Sequence, residues 1–270
     1  MYSTQLRGFI HRGLIGLAAA LLAGASPAFA AESGKIAVND GVDDFLLAAM
    51  PPPGFYGIVY LSRYTSDYLA NNSGNSAVDH FSLAANVAVP RFDWVKPVTI
   101  FGADRWGTLV LAPYLDVDAK ISPVPGINLA DSKRGFGDLT VGNGLHWTIG
   151  DYQMTNALDV VAPTGGFDAA RVVNLGLNHW TLRLNHLATW MPLPSWEISY
   201  GLRWEYNFEN PDTHYKSGQI GYAEFQYRRG RKNVGRPYRL PARCAAADAR
   251  QEFFAWRRNP FGVFLSETSR

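Results

Sequence analysis

Charged and titratable residues recur at alternate positions in several stretches of this chain. Asp116, Asp118 and Lys120 stand two apart, as do Arg203 and Glu205, and Asp138, Asp159, His146, Arg183 and Glu197 sit in stretches of the same kind. In an extended strand, a spacing of two places side chains on one face. Such a face could line a water-filled passage, where fixed charges select or orient what passes. It could equally be a mutually paired, solvated interior of the kind any polar-lined barrel has. Hydrolysis would need more: a nucleophile, a base and an orienting group within hydrogen-bond reach. His146 is the best available base, but no flanking motif supports it. Gly135-Phe136-Gly137 lacks the lysine and the strand–loop–helix setting of a phosphate loop. Six histidines and the single Cys244 show no metal-ligand spacing. No catalytic, metal or cofactor-binding group is therefore expected, and the candidate lining residues are Asp116, Asp118, Lys120, Asp138, His146, Arg183, Glu197, Arg203 and Glu205.

The elements that would position these residues are strands. From Trp196 to Phe208 one parity holds Trp196, Ile198, Tyr200, Leu202, Trp204, Tyr206 and Phe208, while the other holds Glu197, Ser199, Gly201, Arg203, Glu205 and Asn207. Wound as a helix, these two sets would mix around the cylinder. The stretch from Phe136 to Ile149 sets Leu139, Val141, Leu145, Trp147 and Ile149, with Gly137 and Asn143, against Asp138, Thr140, His146 and Thr148. From Leu109 to Lys120, Leu109, Leu111, Leu115 and Val117 oppose Tyr114, Asp116, Asp118 and Lys120. Trp180 to Trp190 sets Trp180, Leu182, Leu184, Ala188 and Trp190 against Thr181, Arg183, Asn185 and Thr189. Less regular stretches at 54–64, 81–94, 152–163 and 219–227 bring the expected number to eight strands.

Most of these stretches reach ten residues, longer than the roughly 5–6 of a soluble strand and matched to the 9–11 of a tilted membrane-spanning one. The connections at 65–80, 121–135, 164–179 and 209–218 are long, and those at 95–104, 150–151 and 191–195 are shorter. That alternation fits a barrel with long outside loops and short periplasmic turns. Aromatic residues gather near strand ends, where amphipathic rings suit a lipid–water boundary. The apolar parity would then face lipid and the polar parity the lumen.

The ends read differently from the middle. Arg7, His11 and Arg12, the apolar run Gly13 to Gly24 and Ala28-Phe29-Ala30 together predict an export signal over residues 1–30, cleaved before Ala31. Residues 31–53 form a periplasmic leader. Within it, Asp43 to Met50 reads either as a short helix at or in the barrel mouth or as plain leader ended by Pro51-Pro52-Pro53. Residues 228–270 carry ten arginines and Lys232 against Asp248, Glu252 and Glu267, and the alternation is lost. A basic tail for nucleic acid or anionic lipid is one reading. Phe253, Phe254 and Trp256 interrupt it, and a frameshift near residue 227 that removed closing strands is the reading adopted, with no nucleic-acid partner expected.

Several motifs, in order, resemble a bacterial family labelled for the MetA pathway of phenol degradation. They are Pro51-Pro52-Pro53-Gly54-Phe55-Tyr56, Gly137-Asp138-Leu139-Thr140, Pro163-Thr164-Gly165-Gly166-Phe167-Asp168 and Asn174-Leu175-Gly176-Leu177-Asn178-His179-Trp180. Trp196-Glu197-Ile198-Ser199 and Tyr206-Asn207-Phe208 follow, the latter with Asn210, Thr213, Tyr215, Ser217 and Gly218. The resemblance implies a transporter-like outer-membrane barrel tied to catabolism of aromatic compounds, with no catalytic residues.

The expectation is thus an all-β, antiparallel up-and-down transmembrane barrel over residues 54–227, with about eight strands visible. It would sit in outer-membrane lipid and pass small apolar or aromatic molecules without energy input, Phe167 and Tyr215 touching them first. A barrel-based lipase or esterase and a soluble periplasmic ligand-binding barrel are the alternatives.

Overall fold

In the computed structural model the described residues are 46–69, 71, 75–193 and 195–229, together with the backbone of 261–269. The expected signal peptide, residues 31–45 of the leader, and residues 230–260 and 270 of the basic tail lie outside them. Eleven strands form one sheet: β1 (Gly54–Ser66), β2 (His80–Pro97), β3 (Arg105–Leu111), β4 (Tyr114–Val124), β5 (Ile127–Phe136), β6 (Leu139–Ile149), β7 (Tyr152–Ala162), β8 (Thr181–Leu193), β9 (Trp196–Asn207), β10 (Gln219–Arg229) and β11 (Phe261–Ser269). From β1 to β10 every pairing is antiparallel. β11 adds to β1 in parallel.

The eleven strands reduce to eight long passes and the added β11. β3 and β4 both pair with β2, side by side along its length, so they are one pass interrupted at Ala112-Pro113. Proline has no N–H to give a ladder, which is why the pairing breaks there. β5 and β6 form a second interrupted pass, broken at Gly137-Asp138. These passes contain the eight predicted strands. The expected 121–135 loop is instead an extended hairpin, β4 and β5 closed tightly at Pro125-Gly126 with Gly126 at φ 86°. The short turns, including Gly150-Asp151 with Gly150 at φ 59°, lie at the opposite end.

Each pass has two faces, and the pairing registers place them in continuous rows. One inner row runs Asp93, Leu109, Gly142, Asp159, Arg183, Glu205 and Ile220 across β2, β3 and β6 to β10. An outer row runs Phe55, Trp94, Thr108, Asn143, Leu158, Leu184, Trp204 and Gly221. The inner face of β6 to β9 is buried and mostly polar, with His146, Thr181, Thr189 and Ser199 almost wholly enclosed. Large apolar side chains such as Phe92, Trp94, Leu158, Leu184, Trp204 and Phe225 stand exposed on the outer face. A curled sheet with this inversion is the antiparallel up-and-down barrel architecture, its outside apolar and its inside wet.

The bulge at Gly137-Asp138 changes parity within one pass. Arg134 and Phe136 are exposed in β5, then Gly137 and Asp138 are both buried, and the exposed set resumes on odd numbers at Val141. Gly137 therefore does not share the face of Leu139 as expected. A Cβ there would lie 2.8 Å from Leu115 and 3.1 Å from the Leu175 carbonyl. Two successive inward residues are what one extra residue in a ladder produces.

Candidate functional site

The inner wall over β7 to β10 is a ladder of paired charges. Arg183 donates to Glu205 at 2.7–2.8 Å, and Arg203 donates to Glu224 on the next strand. Asn185 donates to Asp159 at 2.8 Å, and Arg228 pairs with Glu197 at 2.8 Å. On β2, Arg91 grips Asp93 at 2.8–3.1 Å. Burying such charges costs several kcal/mol each unless partners satisfy them. Strand spacing supplies the partners, because each pair sits on neighbouring strands or two apart on one strand. Asp159 leans over Gly142, whose missing side chain makes the room: a Cβ there would be 2.2 Å from its carboxylate.

The inner wall over the upper part of β2 and the β3–β4 pass is different. Odd-numbered residues face inward there, which places Val87, Val89, Leu109, Leu111, Leu115 and Val117 on the same side as Arg91 and Asp93. The sequence reading had these leucines facing lipid and Asp116, Asp118 and Lys120 facing the lumen. The register reverses it. Asp116, Asp118 and Lys120 lie opposite Asn86, Ala84 and Ser82, on the outer face of β2. The reason is height: these residues lie in the hairpin that rises beyond the aromatic pair Tyr114–Phe136, whose rings meet edge to face at 5.3 Å. Outside that level a charge pointing outward meets no hydrocarbon, so lipid imposes no parity on the strand.

The other candidate residues lie on the buried inner side. Asp138, His146, Arg183, Glu197, Arg203 and Glu205 are all at most 8% exposed. They do not form one constriction. Arg183, Arg203 and Glu205 share the ladder, Glu197 lies nearer the short-turn end, and Asp138 holds a loop at the other end. His146 is bound on both ring nitrogens by hydroxyl groups, Thr155 at 2.9 Å and Thr148 at 3.2 Å. Thr155 gives its single proton to the Ala48 carbonyl at 2.8 Å, so Nδ1 of His146 must be the donor to Thr155. The ring is thereby fixed as a wall-to-leader link, and neither nitrogen faces a serine nucleophile.

Sequence reasoning missed how the leader is held. Residues 46–50 make a tight turn, with Leu46 at φ 65° and the Ala49 N–H donating to the Leu46 carbonyl at 2.8 Å. The turn lies against the inner wall near the short-turn end. Glu197 accepts the Leu46 N–H, Thr189 accepts the Ala48 N–H at 3.1 Å, and Arg105 donates to the Met50 carbonyl. Leu47 and Ala48 are buried. Met50 fills the space above Gly107, where a Cβ would come within 2.8 Å. Within 46–50 the chain is a turn and not helix, Pro51 following at once; Asp43 to Phe45 of the short-helix alternative lie outside the described residues. Only the lone run of apolar residues before the prolines hinted at it.

At the long-loop end the connection 163–180 folds inward over β4 and β5. Asp138 accepts the N–H groups of Gly165 at 2.8 Å and Leu177 at 2.7 Å. Gly165 and Gly176 touch backbone to backbone, where a Cβ on Gly176 would be 2.5 Å from Asp138 and 2.7 Å from the Gly165 carbonyl. Arg171 clamps Asp131 and the Ser132 carbonyl, and the Val173 N–H donates to Asp131 at 2.9 Å. With Arg171 as the main cause, the Asp131 carboxyl is held down to about 2. Asn178 donates to Asn210 at 2.9 Å, and Thr181 to Asn207 at 2.6 Å. The ordered motifs of the sequence, Gly137-Asp138, Pro163 to Asp168, Asn174 to Trp180 and Asn207 to Asn210, thus meet in one knot at this end of the sheet.

No curated protein matches the chain. Among solved structures it is similar to an outer membrane channel from Pseudomonas putida F1, with a TM-score of 0.56 and 22% identity over 69% of this chain and 69% of that one. At that identity the likeness concerns the fold, and it is the barrel fold of a membrane channel. A family model described as "Putative MetA-pathway of phenol degradation" matches residues 66–232, which takes in the loop knot and the charged ladder. The chain belongs to that family.

Proposed function

We propose that this chain is an outer-membrane channel, exported through a cleaved signal, that lets small apolar or aromatic molecules enter passively. The observation that carries the reading is the two-sided inner wall. One side is a ladder of neutralised charges over β7 to β10, and the other is the apolar strip of Val87, Val89, Leu109, Leu111, Leu115 and Val117, with the neutralised Arg91–Asp93 pair beside it. A uniformly polar, water-filled lumen would leave an apolar molecule hydrated and offer its surface no favourable contact. An apolar strip instead offers roughly 25 cal/mol per Å2 of surface it covers. The family's association with phenol breakdown fits a permeant of that kind. The leader turn lies against the inner wall at one end and loop 163–180 folds inward at the other.

The test is uptake into proteoliposomes. Leu109→Gln with Leu111→Gln should slow entry of a phenol-sized apolar solute about tenfold, the order expected from losing contact with two leucine side chains. Entry of a small sugar should be unchanged. Equal entry of the apolar solute through wild type and double variant would overturn the reading. The hydrolase alternative has no support in the geometry around His146, which both ring nitrogens commit to threonine hydroxyls.

A further inference from the structure

A diagonal of polar side chains crosses the outer face of β6 to β9, on the opposite side of the wall from the lumen. Asn143 opposes Thr108 and Leu158, and Asn156 opposes Leu145 and His186. The Asn143 side-chain oxygen accepts the Trp106 indole N–H at 3.1 Å and the Thr108 hydroxyl at 2.7 Å. An indole N–H can only donate, so the atom it meets is the amide oxygen. The amide nitrogen of Asn143 therefore turns away with both its protons, which have no acceptor among the described residues, and the residue is exposed. From Asn156 a hydrogen-bonded chain runs to His186 at 2.7 Å, on to Tyr200 at 3.3 Å and then to Tyr152 at 3.3 Å. Whichever way its amide is turned, Asn156 spends one polar half on His186 and keeps the other without a partner among the described residues.

The height of this diagonal follows from the β5–β6 pass. Thirteen residues separate Phe136 from Ile149, both exposed apolar residues at the two ends of the pass. At about 3.3 Å per residue and a tilt of about 45°, that climb is about 30 Å, the thickness of a hydrocarbon core. Asn143 stands seven residues from one end and six from the other, at the middle of that layer. Val141, Leu158, Leu184 and Trp204 are exposed around it. Lipid tails offer no acceptor, so amide protons without a partner are costly there.

We propose that this stripe, centred on Asn143 and Asn156, is the contact through which two copies of the chain associate within the membrane. The inference rests on the membrane placement made above. Copies inserted by one route share one orientation, so a two-fold axis between them runs along the membrane normal and keeps each residue at its own height. The stripe of one copy then meets the stripe of the other. Asparagine suits such a contact because its amide carries both a donor and an acceptor. Asn143 brings two protons, and in either orientation of its amide the Asn156 oxygen keeps a lone pair able to accept one. Thr108, Val110, Val141 and Leu145 surround Asn143 on the outer face with short side chains, which lets two sheets approach closely enough for the amides to meet.

The experiment is cross-linking of the full chain in proteoliposomes with a short bis-maleimide, in a Cys244→Ser background. Val141→Cys, beside Asn143, should give a covalent dimer, and Phe225→Cys, exposed on the same face but out on β10, should not. Asn156→Leu, and separately Val141→Trp, should weaken dimerisation about tenfold, read as dimer fraction against protein-to-lipid ratio. Val141→Trp blocks the approach while touching no hydrogen bond of the stripe, and heat-modifiable migration identifies the variants that still fold. Native mass spectrometry of the wild type, released from micelles with and without added phenol, identifies the occupant. A dimer supports the proposal; a monomer, bare or carrying lipid or phenol, overturns it. Equal cross-linking at Phe225→Cys, or undiminished dimers in the folded variants, overturns it as well. If the wild type fractionates as a water-soluble protein, the channel reading fails first; if it inserts and passes apolar solutes as a monomer, only this proposal fails.

Discussion

Two parts of the inner wall, built from the same kind of strand, have opposite chemistry. Over β7 to β10 the inward parity is charged and hydrogen-bonded, whereas from Leu109 to Val117 and at Val87 and Val89 of β2 it is leucine and valine, bordered by the Arg91–Asp93 pair. The difference teaches that lipid fixes the outward face of a strand only where the strand crosses hydrocarbon. Below the Tyr114–Phe136 pair the outward face is mostly apolar, and its polar members Thr108, Asn143, Asn156 and His186 hydrogen-bond to one another or to neighbours on that face, while the inward face is free to be either. Above it, Asp116, Asp118 and Lys120 take the outward parity.

The largest expected effect comes from breaking the polar half. Arg183→Met leaves Glu205 buried without its main partner and should cost about 3–5 kcal/mol, against little for an exposed outer residue. Urea unfolding of the refolded barrel, followed by its shift in gel migration, measures the loss. Gly142→Ala comes next, at about 1–3 kcal/mol, because its new Cβ would overlap the Asp159 carboxylate at 2.2 Å. A loss no larger than that of Gly221→Ala, where a Cβ meets open space, would contradict the close approach.

Thr189→Val with Thr155→Val should loosen the leader turn without emptying the charged ladder. Both hydroxyls hold Ala48, at 3.1 and 2.8 Å. Single-channel conductance should rise severalfold with the barrel still folded; unchanged conductance would mean that the turn does not obstruct the passage. Asp116→Asn with Asp118→Asn sharpens the comparison from the other side. These carboxylates face outward, so cation-over-anion selectivity should stay as it is, and a clear loss of cation preference would return them to the lumen.

The smallest effect concerns the loop clamp and pH. Asp131 has a depressed folded carboxyl, to about 2 from an ordinary 3.8, chiefly through Arg171. A depressed carboxyl stabilises the docked loop above its unfolded value and loses that contribution as pH falls through the folded one. Loop 163–180 should therefore stay docked at neutral pH and loosen between about pH 4 and 2. A fluorescent label in the loop would report it, and Asp131→Asn should remove the transition.

How much was legible depended on which face a residue occupies. The alternation at Trp196 to Phe208, Trp180 to Trp190 and Leu139 to Ile149 predicted the strands and their inward residues, because those passes cross the apolar band and carry its parity. The same rule applied to Leu109 to Lys120 inverted the answer, since the pairing of β4 with β2 decides that face and no local pattern reveals it. The Gly137-Asp138 bulge was equally hidden: one extra residue flips the parity of everything before it. The family motifs were visible as words, yet their meeting around Asp138 came only from contacts between residues 27 to 39 positions apart.

The sequence by itself determined that the chain makes long antiparallel passes with one apolar face, because a period of two is a local property that backbone geometry reads directly. Its turn-prone stretches also marked short connections such as Gly150-Asp151, though not that residues 121–135 continue as paired strands. Tertiary structure alone decided which charges face each other, where the leader turn rests and which wall of the lumen is apolar. Those depend on register between strands distant in sequence, and register is set by the sum of cross-strand contacts that no single stretch contains.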